Sequence, residues 1–185
     1  LYQMVKNRTD VEIVACIEND AKKREELAQN HGIVCSEQGY EYWLSQDVDI
    51  VAVGAKYGER GAATIKALQA GKHVISDKPI CTKRSELEEI QKLTQEKGVK
   101  VMCMLDLRYQ ISTKTVQNLL SSGEFGEVKN ISFTGQHCID YAHRPAWYFE
   151  DGMHGGTIND LAIHGMDLVL YLTDLKLKKI HAARC

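Results

Sequence analysis

The alternation of apolar runs with helix signals constrains the fold of this chain more than any other feature. Four apolar, largely β-branched runs are typical of buried strands, and they occupy residues 11–17, 49–55, 73–77 and 99–105. Three segments between them carry helix signals and end at a glycine, at residues 20–32, 59–71 and 85–98. Asp20 and Ser85 are the expected caps of the first and last of these helices. Strands that alternate with helices through short connections predict a doubly wound, parallel α/β sheet.

A change of pattern near Asp106 predicts a second domain. The segments after it read as a helix, an alternating strand, a loop rich in aromatics and histidines, a helix and a final strand, at residues 112–127, 128–135, 136–154, 155–172 and 175–185. We therefore expect an α/β domain over 1–106 and an α+β domain over 107–185. A doubly wound nucleotide-binding sheet opens with a strand and a Gly-rich loop, and the 185 residues hold no G-x-G. We expect that strand and loop upstream of Leu1, and the second domain to continue past Cys185.

Composition and charge exclude several classes of partner. Lys plus Arg number 23 against 25 Asp plus Glu, which gives a net charge of −2. Because the sequence shows no basic stripe, we expect no nucleic-acid partner. It also has no apolar run long enough to cross a membrane, so we expect no membrane partner. The six cysteines form no C-x-x-C pair, which argues against a disulfide framework and against a metal site, and a cytoplasmic location is the simplest expectation.

Polar residues follow a stripe along the otherwise apolar helix of residues 155–172. Asp160, His164 and Asp167 lie four and three residues apart, so they stack on one face of the predicted helix. A buried carboxylate or imidazole is costly unless it is paired. The stripe is therefore either a catalytic group or a hydrogen-bonded Asp–His pair with a structural role.

Lys78 and Glu18 each follow a predicted strand. Lys78 lies at the carboxyl edge of the sheet, where open α/β folds bind ligands, and its bond to Pro79 is a candidate for a cis peptide. The alternative is a lysine on an exposed turn. A carboxylate at Glu18 is placed to accept hydrogen bonds from both ribose hydroxyls of NAD and to repel the 2′-phosphate of NADP. The alternative for Glu18 is an acid that faces solvent at the start of a helix.

Several motifs together resemble the Gfo/Idh/MocA family of nicotinamide-dependent oxidoreductases. The similarity spans residues 11 to 175 and is carried by "DVDIVAVGA", "ALQAGKHVISDKPI", "CMLDLRYQ", "GEFGEV" and "GGTINDLAIHGMDL". The chain departs from the family where Asp77 replaces the usual Glu before Lys-Pro. It departs again where "AKYGER" replaces a Thr-Pro-Asn segment and a following His, with Arg60 in the place of that His. We expect these 185 residues alone to bind dinucleotide poorly; if they bind it tightly, Lys56 and Arg60 are the first candidates for holding the phosphates, and the alternative for Lys56 is a side chain that points to water.

The resemblance implies a Rossmann domain that binds NAD, followed by an α+β domain with a large open sheet through which copies of the chain associate. It implies hydride transfer between NAD, with NADP less favoured, and a secondary alcohol or carbonyl of a sugar, polyol or inositol-like substrate. His164 would accept the hydroxyl proton, Asp160 would orient the imidazole, and Lys78 would hydrogen-bond the substrate oxygen. For Asp167 the alternative to a place in the site is a structural role that secures its helix to the first domain.

Further contacts follow from the same resemblance. The residues implied in cofactor binding are Glu18, Asp77, Lys78, Pro79 and Arg108. The residues implied in substrate contact are Lys78, Tyr141, Trp147, Asp160 and His164, although the aromatic loop that includes Tyr148 is as well suited to packing the two domains together. Two alternatives remain open: a non-catalytic dinucleotide-binding sensor or structural protein, and an enzyme that hydrolyses or eliminates through transient oxidation by bound NAD.

Overall fold

The computed structural model describes residues 2–135 and 137–181. Its helices in chain order are α1 Tyr2–Val5, α2 Ala21–His31, α3 Tyr40–Leu44, α4 Tyr57–Gln69, α5 Arg84–Lys97, α6 Ile111–Ser121 and α7 Ile163–Thr173. Short 3-10 helices cover Asp106–Tyr109 and Ala146–Phe149, and a π-helical turn, Ile158–Ala162, leads directly into α7. No helix in the described part of the chain is long and apolar enough to cross a membrane.

A parallel sheet of three strands forms the centre of the first domain. Its strands are β1 Ile50–Val53, β2 His73–Ser76 and β3 Val101–Cys103, in the spatial order β1-β2-β3. All pairs are parallel, with Val51 opposite Val74 and Val74 opposite Val101. Helix α4 connects β1 to β2 and α5 connects β2 to β3, and the prediction of a parallel α/β fold is thereby confirmed.

The core lies between this sheet and the two connecting helices. Its buried members are apolar and come from the strands, from α3, α4 and α5 and from their connections: Leu44, Val53, Ala67, Leu68, Val74, Cys81, Ile90, Leu93 and Val99. Ile90 and Leu93 lie three residues apart on α5, and Ala67 and Leu68 lie side by side on α4, so each helix presents an apolar face to this core.

The helix boundaries agree with their sequence signals in most places. The Asp20 side chain accepts hydrogen bonds from the backbone N–H groups of Lys22 and Lys23, as expected of an N-cap, and α2 ends at Gly32 in the left-handed region. The predicted cap of α5 is wrong. Lys83 holds the cap position with an extended backbone, and Ser85 lies inside the first turn, because the helix begins two residues earlier than a cap at the serine requires.

Segments predicted as strands outside the central sheet do not form strands. Residues 11–17 are extended but unpaired in the described sheet, and Ile13 and Val14 are each 46% exposed. Their one recorded backbone contact runs from the Ser36 N–H to the Cys16 carbonyl, at 2.8 Å. Residues 128–135 and 175–180 are likewise irregular, and residues 182–185 lie outside the described chain. A strand needs a neighbour to complete its hydrogen bonds, so the open sheet of the predicted second domain is not formed among the described residues.

The second part of the chain is organised around α6 and α7. The Tyr171 hydroxyl on α7 donates to Gln117 Oε1 on α6 at 3.0 Å. Phe133 of the irregular segment lies against Gly165, where an added Cβ would approach its ring to 2.5 Å. The π turn before α7 lies at the carboxyl edge of the central sheet, where Asp160 of the polar stripe meets Lys78.

Candidate active site

The turn after β2 places Lys78 at the carboxyl edge of the sheet. The Asp77 N–H donates to the Val53 carbonyl at 3.1 Å, which continues the pairing of β1 and β2 to the end of the strand. The Asp77 carboxylate then accepts from the Lys78 N–H at 2.8 Å. The bond between Lys78 and Pro79 is cis, as the sequence suggested.

Arg60 on α4 lies beneath this turn and is only 3% exposed. Its guanidinium donates to the carbonyls of Lys78 at 2.5 Å and Pro79 at 3.1 Å, and to that of Ala55 at 3.1 Å. It also lies 3.7 Å from the Asp77 carboxylate. The suggestion that Arg60 holds cofactor phosphates is therefore wrong, because its donors are already engaged by buried backbone. Nothing in the residue spacing distinguishes an arginine that supports a turn from one that faces a ligand.

Lys78 and Asp160, 82 positions apart in the sequence, form a buried ion pair. Lys78 Nζ donates to Asp160 Oδ1 at 2.5 Å and to the Asp160 carbonyl at 2.9 Å. The carboxylate is 1% exposed, whereas the Lys78 side chain keeps 20% of its surface in contact with solvent. Asp160 lies in the π turn, which is anchored to the first domain by Asn159, whose side-chain amide donates to the Cys81 carbonyl at 3.0 Å.

Just before the π turn, the backbone lies in close contact with the first domain. At Gly155 an added Cβ would lie 2.7 Å from the Thr82 methyl group, and φ of +76° places this residue in the left-handed region. Glycine is therefore required here both for space and for conformation. The Gly-Gly pair before the π turn thus has a structural reason that is independent of any ligand.

Two further side chains bind the second oxygen of Asp160. The Tyr148 hydroxyl donates to Oδ2 at 2.8 Å, and His154 Nε2 lies 3.1 Å from the same atom. Burial raises the pKa of Asp160, but the hydrogen bonds from Lys78, Tyr148 and His154 outweigh it and hold that pKa well below its usual range. Burial and the bond to Asp160 raise the pKa of Tyr148 to about 12. At neutral pH the carboxyl is therefore ionised and the phenol protonated.

His164 lies beside this network but does not belong to it. It lines a cleft of about 380 Å³ at the carboxyl edge of the sheet, together with Asp77, Lys78, Met104, Asp106, His137 and Leu161. Its Nδ1 is buried and has no hydrogen-bond partner among the described residues. The expectation that Asp160 orients His164 is wrong: both oxygens of Asp160 are bound by other side chains. The π turn explains this, because its wider turn rotates Asp160 away from the position that α-helical spacing gives it relative to His164.

Aromatic rings surround the ion pair on the side away from His164. The Tyr57 ring stacks on His154 with centroids 5.9 Å apart, and His154 in turn lies 4.2 Å from the Tyr148 ring. Trp147 meets the edge of Tyr57 at 5.2 Å, so it packs the loop against α4. The structure does not bring Tyr141 to this group, since that ring stacks on Phe149 and is 74% exposed.

Tyr57 and His154 are members of the site that the sequence reading did not assign. Lys78 Nζ lies 5.8 Å from the centre of the Tyr57 ring, and burial followed by the charge of Asp160 raises the pKa of Tyr57. A signal for His154 was present, because it directly precedes the Gly-Gly pair of the catalytic signature. The role of His154 depends on which side chains contact Asp160, and the sequence does not show these contacts.

Arg108, implied as a cofactor contact, is held by Asp167. The guanidinium makes a two-point contact with the carboxylate, in which Nε donates to Oδ2 at 2.7 Å. Asp167 is 8% exposed, and its hydrogen bond raises the pKa of Arg108. This pair joins the 3-10 helix after β3 to α7, in agreement with the view that Asp167 secures its helix to the first domain.

Glu18 lies at the end of the extended segment 11–17, with its side chain accepting from the Asp20 N–H at 2.9 Å. Arg24, which the sequence reading did not consider, donates to the carbonyl of Glu18 at 3.0 Å and to that of Asn19 at 2.9 Å. The Arg24 guanidinium therefore lies beside the backbone of Glu18. Its position matters for the choice between NAD and NADP, because an arginine near this acid is the usual partner of a 2′-phosphate.

The parallel sheet, its helical connections and the polar cleft at its carboxyl edge define a Rossmann-type α/β protein. Residues 1–105 match the model of the oxidoreductase family with an NAD-binding Rossmann fold, and residues 113–184 match the GFO/IDH/MocA C-terminal domain. The chain belongs to the Gfo/Idh/MocA family.

Relatives of this chain include proteins named as dehydrogenases. A trans-1,2-dihydrobenzene-1,2-diol dehydrogenase of Bos taurus is 23% identical over 163 residues, which are 88% of this chain and 48% of that protein. A scyllo-inositol 2-dehydrogenase (NADP(+)) of Bacillus subtilis is 27% identical over 129 residues, covering 68% of this chain and 35% of its own length. The chain thus spans about half or less of these relatives.

Solved structures agree on the fold. A levoglucosan dehydrogenase in complex with NADH and levoglucosan superposes with a TM-score of 0.68 at 19% identity, covering 85% of this chain and 44% of that protein. At this identity the likeness shows the shared fold.

Proposed function

We propose that the protein is a nicotinamide-dependent oxidoreductase that moves a hydride between NAD and a secondary alcohol or carbonyl of a sugar, polyol or inositol-like compound. The observation that carries the proposal is the buried pair of Lys78 and Asp160 at the carboxyl edge of the sheet, beside the cleft that His164 lines. Ligands of open α/β sheets bind at this edge. The nicotinamide would supply the hydride acceptor there.

Lys78 is suited to bind the reacting oxygen of the substrate. An ammonium group has three N–H donors, and two of them are directed at Oδ1 and the carbonyl of Asp160. The third donor is available to a substrate oxygen, and the positive charge stabilises the alkoxide that develops as hydride leaves. Asp160 acts on Lys78 by fixing its head group.

His164 is the proton acceptor in this proposal. It lines the cleft that holds Lys78, and an imidazole is the side chain best suited to exchange a proton near neutral pH. We assign the transfer to Nε2, because Nδ1 is buried within the protein. The orientation of the ring comes from its packing in α7 and not from Asp160.

The names of the relatives support alcohol oxidation but leave the choice of cofactor open. One relative is named for NADP and one structure holds NADH. We propose that NAD is preferred, because the Glu18 carboxylate repels a 2′-phosphate, and that Arg24 limits the size of the preference. A cytoplasmic location, the domain boundary near residue 106 and self-association through the second domain stay predictions.

The test is turnover by the full-length protein. We expect reduced nicotinamide to appear when the protein is mixed with NAD and a panel of inositols, D-xylose, levoglucosan and a cyclic diol. Lys78→Met should abolish this turnover, while Lys83→Met, a lysine with a side chain 65% exposed, should not. A protein that binds NADH but turns over no member of the panel would support the non-catalytic alternative. Cofactor that stays bound and is not net reduced during breakdown of a sugar would support the hydrolase or lyase.

A further inference from the structure

His154 holds a position between the ion pair and the aromatic rings that the proposed reaction does not yet use. Its Nε2 lies 3.1 Å from Asp160 Oδ2, its side chain is 21% exposed, and its ring is packed against those of Tyr57 and Tyr148. The three rings contact one another as a cluster, since the Tyr57 and Tyr148 centroids are themselves 6.2 Å apart, so His154 lies at one side of both tyrosines rather than between them. It is directed at the carboxylate that binds Lys78.

The protonation of this ring follows from its partner. An ionised carboxylate accepts hydrogen bonds and donates none, so the contact requires a proton on His154 Nε2. His154 therefore acts on Asp160 as a hydrogen-bond donor through Nε2–H.

Charged and titratable groups face His154 from each element packed against it. From the π turn comes Asp160, with Lys78 on its other oxygen. From α4 comes the Tyr57 phenol, whose ring also carries the Arg60 guanidinium 4.8 Å from its centre. From its own loop comes Tyr148, with Arg144 at 4.3 Å from that ring. Among these groups Asp160 is the acid that His154 contacts.

We infer that His154 is a positioning residue that sets, through Asp160, how firmly Lys78 is held. The His154 donor and the Tyr148 hydroxyl both bind Oδ2, which leaves Oδ1 directed at Lys78 Nζ. Without the His154 donor the carboxylate is held by one side chain fewer, and the head group of Lys78 is fixed less firmly towards the substrate oxygen. The inference rests on the proposed function of Lys78.

Two substitutions and a matched control test it by turnover of the full-length protein. His154→Gln keeps an N–H donor for Asp160, so we expect kcat to stay within about threefold of wild type, a rescue that a purely structural role for the ring would not give. His154→Leu removes the donor, and we expect kcat to fall about tenfold, the equivalent of one pKa unit of lost interaction, with the KM for cofactor unchanged.

His143→Gln is the control for both. His143 lies on the same loop and contacts Asp140 at 2.7 Å, but its side chain is 81% exposed. We expect this substitution to leave kcat and the KM values unchanged. If His154→Gln loses as much kcat as His154→Leu, or if both His154 variants change only the melting temperature, the inference is overturned.

A spectroscopic experiment tests the same hydrogen bond without measuring turnover. Nitrogen NMR of the histidine rings should place the proton of neutral His154 on Nε2, and the signal of that N–H should disappear in Asp160→Ala. A proton on Nδ1 would overturn the inference whatever the activity. If the NMR result holds but the wild-type protein turns over no alcohol, the proposed function fails. The inference about Lys78 then fails with it, whereas the hydrogen bond from His154 to Asp160 stands.

Discussion

Replacing Lys78 by methionine should destabilise the protein more than replacing Asp160 by asparagine. Lys78→Met leaves a carboxylate that is 1% exposed without its cation, whereas Asp160→Asn leaves an ammonium group on a side chain that is 20% exposed. Removing one partner of a buried ion pair typically costs 3–5 kcal/mol. Because Tyr148 and His154 still donate to Asp160, we expect about 3 kcal/mol for Lys78→Met, at the lower end of that range. The lysine left by Asp160→Asn can turn towards water, so we expect about 1–2 kcal/mol there.

The cost of Lys78→Met should also depend on pH. In the wild-type protein the pKa of Asp160 is lowered, so its ionised form stabilises the fold at any pH above the pKa of the unfolded chain. That stability is lost only as the pH falls through the lowered pKa of the folded state. In Lys78→Met the strongest hydrogen bond to the carboxylate is gone while burial still raises the pKa, so the folded protein takes up a proton at higher pH. The difference in stability between the two proteins should therefore be largest near neutrality and shrink on acidification.

Urea unfolding at about pH 7 and about pH 3.5, on either side of ordinary carboxyl titration, measures both effects. The set comprises wild type, Lys78→Met, Asp160→Asn, the double variant and Lys83→Met as the exposed control. The double variant should cost less than the sum of the singles, because each single already breaks the pair. The reasoning is refuted if Asp160→Asn costs as much as Lys78→Met, or if the cost of Lys78→Met is the same at both pH values.

Three further outcomes are expected. His164→Asn should leave the melting temperature and NADH binding near wild type and lower kcat by roughly a hundred- to ten-thousandfold, the loss typical of a general base. If steady-state kinetics show wild-type turnover, His164 has only a structural role. Arg60→Met should lower kcat more than it raises the KM for cofactor, since the guanidinium supports the backbone that carries Lys78; an unchanged kcat in a folded variant would contradict this. Glu18→Ser should narrow the preference for NAD over NADP, and Arg24→Leu should widen it, as measured by the ratio of kcat/KM with the two cofactors. A shift of this ratio in the same direction in both variants would contradict the roles assigned to Glu18 and Arg24.

The central sheet was predictable because its signals are local. The helices over 20–32 and 85–98 each combine an apolar pattern with a glycine that occupies the left-handed region after the helix, as at Gly32 and Gly98. The strand over 73–77 is a short β-branched run that Pro79 follows closely. Patterns of this kind depend on residues within a few positions of each other. The same reasoning placed Lys78 at the edge of the sheet.

The segments that were predicted wrongly depend on distant partners. Residues 11–17 have the composition of a strand, but composition does not supply the neighbouring strand that satisfies its N–H and C=O groups. The same holds for residues 128–135, which run across α7 and place Phe133 on Gly165. A strand-like pattern therefore predicts that a segment can pair, and the rest of the protein decides whether it does.

The contacts within the site were less predictable than its members, and the π turn is the physical reason. Spacings of four and three residues placed Asp160, His164 and Asp167 on one face of a regular α-helix. The turn over Ile158–Ala162 instead directs Asp160 to Lys78, and the regular helix after it holds His164 in the cleft and Asp167 against Arg108. The stripe thus divides into three separate contacts. In the proposed reaction this separation is useful, because a proton acceptor bonded directly to the carboxylate that binds Lys78 would compete with Lys78 for the same charge. With Asp160 committed to Lys78, the cation and the imidazole can act on one substrate oxygen from different sides of the cleft.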